Sequence, residues 1–162
     1  MSLSILIDTG VFYAFYNKKD VHHLDSICLL VHILEGRYGR PYTVDPVVSE
    51  TYTLLRYRLS YETAMAFLEA LKKSRVTIIF LDDEDYRGVI RVLKEYPDRK
   101  LSFTDAFLIH VSVSYGIENV VSYDERPFSG IVARIFGRDY ANTLSRDEFN
   151  RIMNLVSSFK AL

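Results

Sequence analysis

The chain has 162 residues, of which 49% are hydrophobic and 25% are charged, the composition of one globular domain. With 20 basic and 21 acidic side chains the formal net charge is −1, so no overall positive charge draws the protein to nucleic acid. The single cysteine excludes an intrachain disulfide, and the four histidines form none of the Cys-His or His-Glu-x-x-His patterns of zinc sites.

Short apolar, β-rich runs alternate with longer helical patterns, which is typical of a parallel sheet covered by helices. The runs predict strands at 3–8, 41–44, 76–81, 119–122 and, with a weaker pattern, 132–136. The longer patterns predict helices at 10–17, 22–36, 46–58, 60–74, 83–96, 102–116 and 145–158. We therefore expect a three-layer α/β/α fold with a central parallel sheet of four to five strands, followed by a C-terminal helix.

Residues at the predicted helix ends support these boundaries. Asp45-Pro46 is expected to supply an N-cap and a first-turn proline. Ser102 with Asp105, and Ser145 with Glu148, fit capping boxes. Gly36 and Gly116 are placed to end helices.

The N-terminal apolar stretch has no basic leader and is interrupted by Asp8, so a secretory signal is not expected. No apolar run approaches the roughly 20 residues that span a bilayer. The expectation is a cytoplasmic protein without membrane association.

Four acidic residues lie where this fold would bring them to one edge of the sheet. Asp8 and Asp124 follow predicted strands, whereas Glu50 and Asp105 lie in the first turns of predicted helices. Ligands of parallel sheets bind beyond the carboxyl ends of the strands. Carboxylates that share a pocket repel one another unless a cation lies between them, and oxygen ligands favour Mg²⁺ or Mn²⁺. The sequence therefore predicts a divalent metal site.

Three of these acids also have a structural explanation. Asp8 could cap the following helix, Asp105 could complement a helix dipole, and Asp124 could belong to a turn. Glu50 is expected to interrupt an inward-facing, buried helix surface, with Arg56 or a buried hydroxyl as an alternative partner.

A second acidic cluster follows the strand predicted at 76–81. Asp82 is expected to cap the next helix, Asp85 to complete a capping box, and Asp83 to remain in solvent. A metal role is not expected there.

Four segments of the chain resemble the PIN-domain family of metal-dependent nucleases, in particular its toxin-type, VapC-like ribonucleases. The matching segments occur in the family's order, at 5–14, 47–55, 101–109 and 120–128. The resemblance implies that the catalytic and metal-binding acids are Asp8, Glu50, Asp105 and Asp124. It further implies that the supporting hydroxyls are those of Thr9, Ser102 and Thr104.

The resemblance also implies an activity and partners. The expected protein is a Mg²⁺- or Mn²⁺-dependent endoribonuclease that hydrolyses RNA phosphodiester bonds, the toxin of a toxin–antitoxin pair. An antitoxin protein and a second copy of the chain are the expected partners. Arg56 and Arg126 are expected to bind RNA, and further candidates are Arg58, Arg99 and Lys100.

The expected organisation is a PIN-like nuclease domain at 1–136 and a helical extension at 137–162 that packs on the same domain. The chain departs from the family pattern at Gly10, where many relatives carry Ser or Asn, and at Pro127, which alters the loop after Asp124.

Two other functional classes remain at this point. One is a catalytically weak PIN-like module that binds RNA or protein. The other is a phospho-acceptor receiver domain, which is disfavoured because Asp8 stands alone after the first strand and the segment 119–128 contains no lysine.

Overall fold

The apolar runs of the sequence form five parallel strands in a single sheet. A computed structural model of the protein describes residues 3–160, so the ends of the predicted domain and extension, residues 1–2 and 161–162, lie outside the described residues. The strands are β1 (Ser4–Ile7), β2 (Arg40–Val44), β3 (Thr77–Ile79), β4 (Asn119–Ser122) and β5 (Arg134–Gly137). Their order across the sheet is β3-β2-β1-β4-β5.

The helical patterns form seven helices within residues 3–160. They are α1 (Thr9–Tyr16), α2 (His23–Leu34), α3 (Asp45–Arg58), α4 (Tyr61–Lys73), α5 (Asp83–Glu95), α6 (Phe103–Tyr115) and α7 (Arg146–Lys160). Short 3₁₀ turns occur at Pro97–Arg99 and Tyr140–Thr143. Right-handed crossovers require α1 to α4 on one face and α5 with α6 on the other, which gives the predicted three layers.

No helix between residues 3 and 160 has both the length and the apolar character required to cross a lipid bilayer.

The core forms around the central strand. Ile5, Leu6 and Ile7 of β1 are each 0% exposed, because helices cover both faces of the sheet at this point. Phe67 of α4 and Phe107 of α6 are fully buried on either side. Burial of each such side chain stabilises the fold by about 1.5–3 kcal/mol. The residues that follow β1 and β4 are therefore attached to strands that are buried in the core.

Helix α7 packs on the domain through Ile152, Phe149, Met153 and Val156, and it contacts α2 also through a charged network. Ile152 is fully buried, and His32 of α2 lies 2.8 Å from the carboxylate of Glu148. Arg151 donates hydrogen bonds to both Glu148 and Glu35. The bond from Arg151, followed by that from His32, lowers the pKa of Glu148 to about 2.

Several predicted caps are confirmed. Ser102 and Asp105 form a reciprocal capping box at the start of α6, and Gly116 ends that helix with φ 69°. Asp82 accepts a hydrogen bond from the backbone N–H of Asp85, as expected for the N-cap of α5.

Three other cap predictions are wrong, because each acid has a tertiary partner. Asp45 does not cap α3; its carboxylate accepts from the backbone N–H of Leu81. Asp85 does not close a capping box, since its buried carboxylate bonds to His110 and Tyr115 of α6.

The third is Glu148. Its backbone N–H donates to the Ser145 hydroxyl as predicted. Its carboxylate, however, accepts hydrogen bonds from His32 of α2 and from Arg151, so it does not close the box.

Candidate active site

Asp8 lies at the carboxyl end of the central strand, where the sheet register places it beside Ser122 of β4. Ile7 pairs with Val121, so the next residue of each strand adjoins the other. The Asp8 carboxylate accepts from the backbone N–H of Thr9 at 2.7 Å, so Asp8 does cap α1. Its second oxygen accepts from the Ser122 hydroxyl at 2.7 Å. Both oxygens are therefore fixed by neighbours.

The environment of Asp8 disfavours its charged form. Burial is the main reason that the pKa of Asp8 is raised to about 6, and the negative charges of Asp105 and Glu50 raise it further. The hydrogen bonds from Ser122 and Thr9 act in the opposite direction. A nearby cation would offset the repulsion between these acids.

Glu50 joins three helices through its carboxylate. One oxygen accepts from the Thr9 hydroxyl of α1 at 2.9 Å, and the other accepts from the Thr104 hydroxyl of α6 at 2.6 Å. The predicted burial of Glu50 is wrong, since the residue is exposed. The buried face of α3 consists of Val47, Thr51 and Leu55, and Glu50 lies beside it at the rim.

Asp105 is half-buried in the first turn of α6, where its carboxylate accepts from the backbone N–H of Ser102 at 3.0 Å. Its pKa is raised, chiefly by burial and also by the negative charges of Glu50 and Asp124, whereas the bonds from Ser102 lower it. Asp105 is therefore the acid that links the group, because its charge acts on Asp8 and the charges of Glu50 and Asp124 act on it. We call these four residues the acidic centre.

Asp124 differs from the other three acids because it already has a cationic partner. The Arg126 guanidinium donates to both carboxylate oxygens, from Nε at 2.8 Å and from Nη2 at 2.9 Å. The backbone N–H of Arg126 also donates to the carboxylate, at 3.2 Å. These contacts lower the pKa of Asp124.

The other basic residues proposed for RNA contact occupy different positions. The Arg56 guanidinium lies 5.6 Å from the ring centre of Tyr61, and that of Arg58 lies 5.9 Å from the ring centre of Tyr13. Arg56 is six residues beyond Glu50, which is about 9 Å along the helix axis. Its role in RNA binding stays a prediction.

Ser122 is the residue that the sequence reasoning missed. Its hydroxyl donates to Asp8 and accepts from the backbone N–H of Asp124, so it connects two members of the acidic centre. A signal was present, because Ser122 is a polar residue at the end of a predicted strand, as Asp8 is. Thr9 and Thr104 both donate to Glu50, whereas Ser102 acts through the capping box on Asp105.

The acidic centre is not a ready-made metal cage. Among residues 3–160, no three His, Cys, Asp or Glu side chains are grouped closely enough to hold an ion directly. The atoms that could ligate a metal there are nevertheless all carboxylate and hydroxyl oxygens, which suit a hard divalent cation. Mg²⁺ in particular keeps several waters and uses only one or two carboxylates. The residues present therefore fit a partly hydrated ion.

The fold and site together define a parallel α/β protein with an acidic centre at the carboxyl edge of its sheet. The chain belongs to the PIN domain family, whose model matches residues 5–132.

Two relatives illustrate the match. The chain is 40% identical over 156 residues to a VapC ribonuclease from Archaeoglobus fulgidus, an alignment that covers 95% of this chain and 96% of that protein. The fold is similar to the crystal structure of Mycobacterium tuberculosis VapC20, a Sarcin-Ricin loop cleaving toxin, with a TM-score of 0.67 and 24% identity. That match covers 80% of this chain and 98% of the other, and it concerns the fold alone.

Proposed function

We propose that the protein is an endoribonuclease that hydrolyses RNA phosphodiester bonds with the help of Mg²⁺ or Mn²⁺. Identity of 40% to a VapC ribonuclease along nearly the whole of both chains supports this activity. The observation that carries the proposal is the Glu50 carboxylate, held between Thr9 and Thr104 beside two further acids. Acids whose pKa values are raised by burial and by one another's charge mark a candidate functional site.

In this proposal, Asp8 and Asp105 supply the principal ligands of the cation. The Ser122 hydroxyl and the Thr9 N–H orient the Asp8 carboxylate, and the capping box orients that of Asp105. Glu50 adds negative charge from an exposed position, where water has access. Ligands fixed in this way need little rearrangement when an ion binds.

A bound divalent cation supplies Lewis acidity, which lowers the pKa of water and offsets charge on phosphoryl oxygens. The chain itself would exclude bulk water from beneath the site, because β1 and β4 are fully buried there. Arg126, at 89% exposure beside Asp124, is placed to contact a phosphate of the RNA backbone.

The test is cleavage of a structured RNA by the wild type, Asp8→Asn and Asp105→Asn, in Mg²⁺, Mn²⁺ or chelator. We expect wild-type cleavage only with metal, and a loss of at least about 100-fold in both variants. Asp83→Asn is the matched control, because Asp83 is an exposed acid in the first turn of α5. Equal cleavage by the wild type and both variants would locate the activity elsewhere.

We further propose that the protein is the cytoplasmic toxin of a toxin–antitoxin pair that also forms a homodimer. The support is membership of the PIN domain family and the 40% identity to a VapC ribonuclease, and VapC20, which has a similar fold, is a toxin. Expression of the wild type in cells should arrest growth, whereas Asp8→Asn should not. Growth arrest by both would contradict a toxic ribonuclease activity.

A PIN-like module that binds RNA without cleaving it is the second candidate, and one observation favours it. The acidic centre, as placed, contains no three acids grouped closely enough to hold an ion directly. Binding of RNA with no cleavage in any metal would support this second function over the first.

A further inference from the structure

The Asp124–Arg126 pair connects the acidic centre to the solvent. Arg126 is 89% exposed and Asp124 is 48% exposed, so neither group is locked in place by packing. Exposed ion pairs contribute little to stability and exchange partners readily. The fork of two N–H donors that Arg126 directs at the carboxylate is also the geometry that binds a phosphate.

The backbone of this loop, by contrast, is anchored. The Arg99 guanidinium donates from Nη1 to the carbonyl oxygens of Arg126 and Ser129, at 3.1 Å and 2.7 Å. Arg99 itself lies 5.9 Å from the ring centre of Tyr96. Because the carbonyl of Arg126 is held while its side chain is exposed, the guanidinium can change partners by side-chain rotation alone.

The pair also affects the rest of the acidic centre. Asp124 contributes to the negative field at Asp105, and Arg126 neutralises Asp124 at close range. An Asp124 carboxylate occupied by a guanidinium has fewer lone pairs available to a metal ion. Its release would add one ligand and one unit of negative charge to the site.

We propose that Arg126 is a two-position cation that exchanges Asp124 for a phosphate of the RNA substrate, and so makes Asp124 more available to the metal ion when RNA is bound. This inference rests on the proposed function, and Arg126 acts in it as a positioning residue for Asp124. It predicts that Arg126 weakens metal binding in the absence of RNA, and that Asp124 weakens RNA binding in the absence of metal.

The experiment is a double-mutant cycle on Asp124 and Arg126 with two separate readouts. The first readout is the Mn²⁺ affinity without RNA, measured by calorimetric titration. It is determined for the wild type, Arg126→Gln, Asp124→Asn and the double variant. Fluorescence anisotropy of a labelled single-stranded RNA in chelator, where cleavage is not expected, measures the second. Arg91→Gln and Asp83→Asn are exposed-charge controls on α5, and the melting temperature of each variant reports its folding.

Arg126→Gln should tighten Mn²⁺ binding by up to about 5-fold, the range of an exposed ion pair. In the Asp124→Asn background, the same substitution should not change Mn²⁺ binding. For RNA, we expect Asp124→Asn to tighten binding by a similar factor, and only when Arg126 is present. If Asp124→Asn binds no Mn²⁺ at all, the RNA readout decides alone.

Equal effects in both backgrounds would show a through-space charge effect and overturn the exchange, as would no effect at all. Asp8→Asn separates this failure from failure of the proposed function. If Asp8→Asn abolishes Mn²⁺ binding while Arg126→Gln changes nothing, the metal site stands and the exchange falls. A wild type that binds no Mn²⁺ removes both.

Discussion

Substitution of Gly88 by alanine should destabilise the protein, although the same change stabilises most helices. Gly88 lies inside α5, where alanine is favoured over glycine by about 1 kcal/mol. A Cβ built on Gly88 would, however, overlap the imidazole of His110 in α6, with even Nε2 only 2.6 Å away. Steric overlap and helix propensity therefore act in opposite directions at this position.

The overlap outweighs the helix propensity because any movement of the buried imidazole would break the hydrogen bonds that hold it. His110 is 7% exposed, its Nε2 lies 3.0 Å from Asp85, and its Nδ1 lies 3.2 Å from the Ser114 hydroxyl. Overpacking costs about 1–3 kcal/mol, and loss of a hydrogen bond to a charged group costs about 1.5–3 kcal/mol. After the gain in propensity is subtracted, we expect a net loss of roughly 2–4 kcal/mol.

Urea denaturation of the wild type, Gly88→Ala, His110→Ala and the double variant measures both terms. Without the imidazole, the three nearest atoms that the added methyl group would meet are gone, so Gly88→Ala should stabilise the His110→Ala background by about 1 kcal/mol. The reversal of sign is the decisive result. A stabilising effect of Gly88→Ala in the wild type, or the same destabilisation in both backgrounds, would refute the reasoning.

Three further predictions concern charge and hydrogen bonding. In chelator at pH 7.5, Asp8→Asn should melt above the wild type by the equivalent of about 1–3 kcal/mol. The reason is that burial raises the pKa of Asp8 from 3.8 to about 6, so the stability that its protonated form contributes is present below pH 3.8 and lost as pH rises through 6. Glu148→Gln should remove part of the acid-induced loss of stability. Hydrogen bonds from Arg151 and from His32 lower the pKa of Glu148 from 4.5 to about 2. The contribution of Glu148 to the stability of the fold is therefore present above pH 4.5 and is lost as pH falls towards 2. Thr104→Val should lower the free energy of unfolding by about 1 kcal/mol, because it removes the hydroxyl that donates to Glu50. Thr104→Ser keeps a hydroxyl and should retain most of that stability.

Thermal melts between pH 3 and 8 test all three. The prediction for Asp8 would be contradicted if Asp8→Asn melted below the wild type at pH 7.5. It would also be contradicted if the difference in melting temperature were the same at pH 4, because the ionised Asp8 carboxylate would then not be destabilising. Parallel acid profiles for Glu148→Gln and the wild type would remove the assigned role of that ion pair. Equal melting temperatures for Thr104→Val and Thr104→Ser would mean that the bond to Glu50 does not stabilise the fold.

The fold was predictable from the sequence because its signals are local and repeated. Most strands are short apolar runs that alternate with longer helical patterns, so the succession of the elements and the parallel direction of the strands follow from the pattern. The capping box of Ser102 and Asp105 and the stop at Gly116 depend only on residues close in the chain. Such signals survive folding unless a distant group competes for them.

The predictions that were wrong concern acids for which a distant group does compete. Asp45 bonds to the backbone of Leu81, and Asp85 bonds to His110, which follows it by 25 residues. No local pattern distinguishes these partners from a helix cap. Glu50 illustrates a different limit, since helical spacing fixed the side of α3 on which it lies but not its place at the rim.

The approach of Asp8, Glu50 and Asp105 to one another could be predicted from topology alone, because parallel strands place their carboxyl ends at one edge. The two threonine bonds to Glu50 and the pairing of Asp124 with Arg126 depend on side-chain conformations that the sequence does not specify. The assignment of these acids as metal ligands stays a prediction.

The most direct measurement is an anomalous difference map from crystals soaked in Mn²⁺. We expect a peak among the carboxylates of Asp8, Glu50 and Asp105, and its loss in crystals of Asp8→Asn. A peak confined to the exposed acids at the start of α5, Asp82 and Asp83, or a map with no peak at the carboxyl edge of β1, would contradict the assignment of the acidic centre as a metal site.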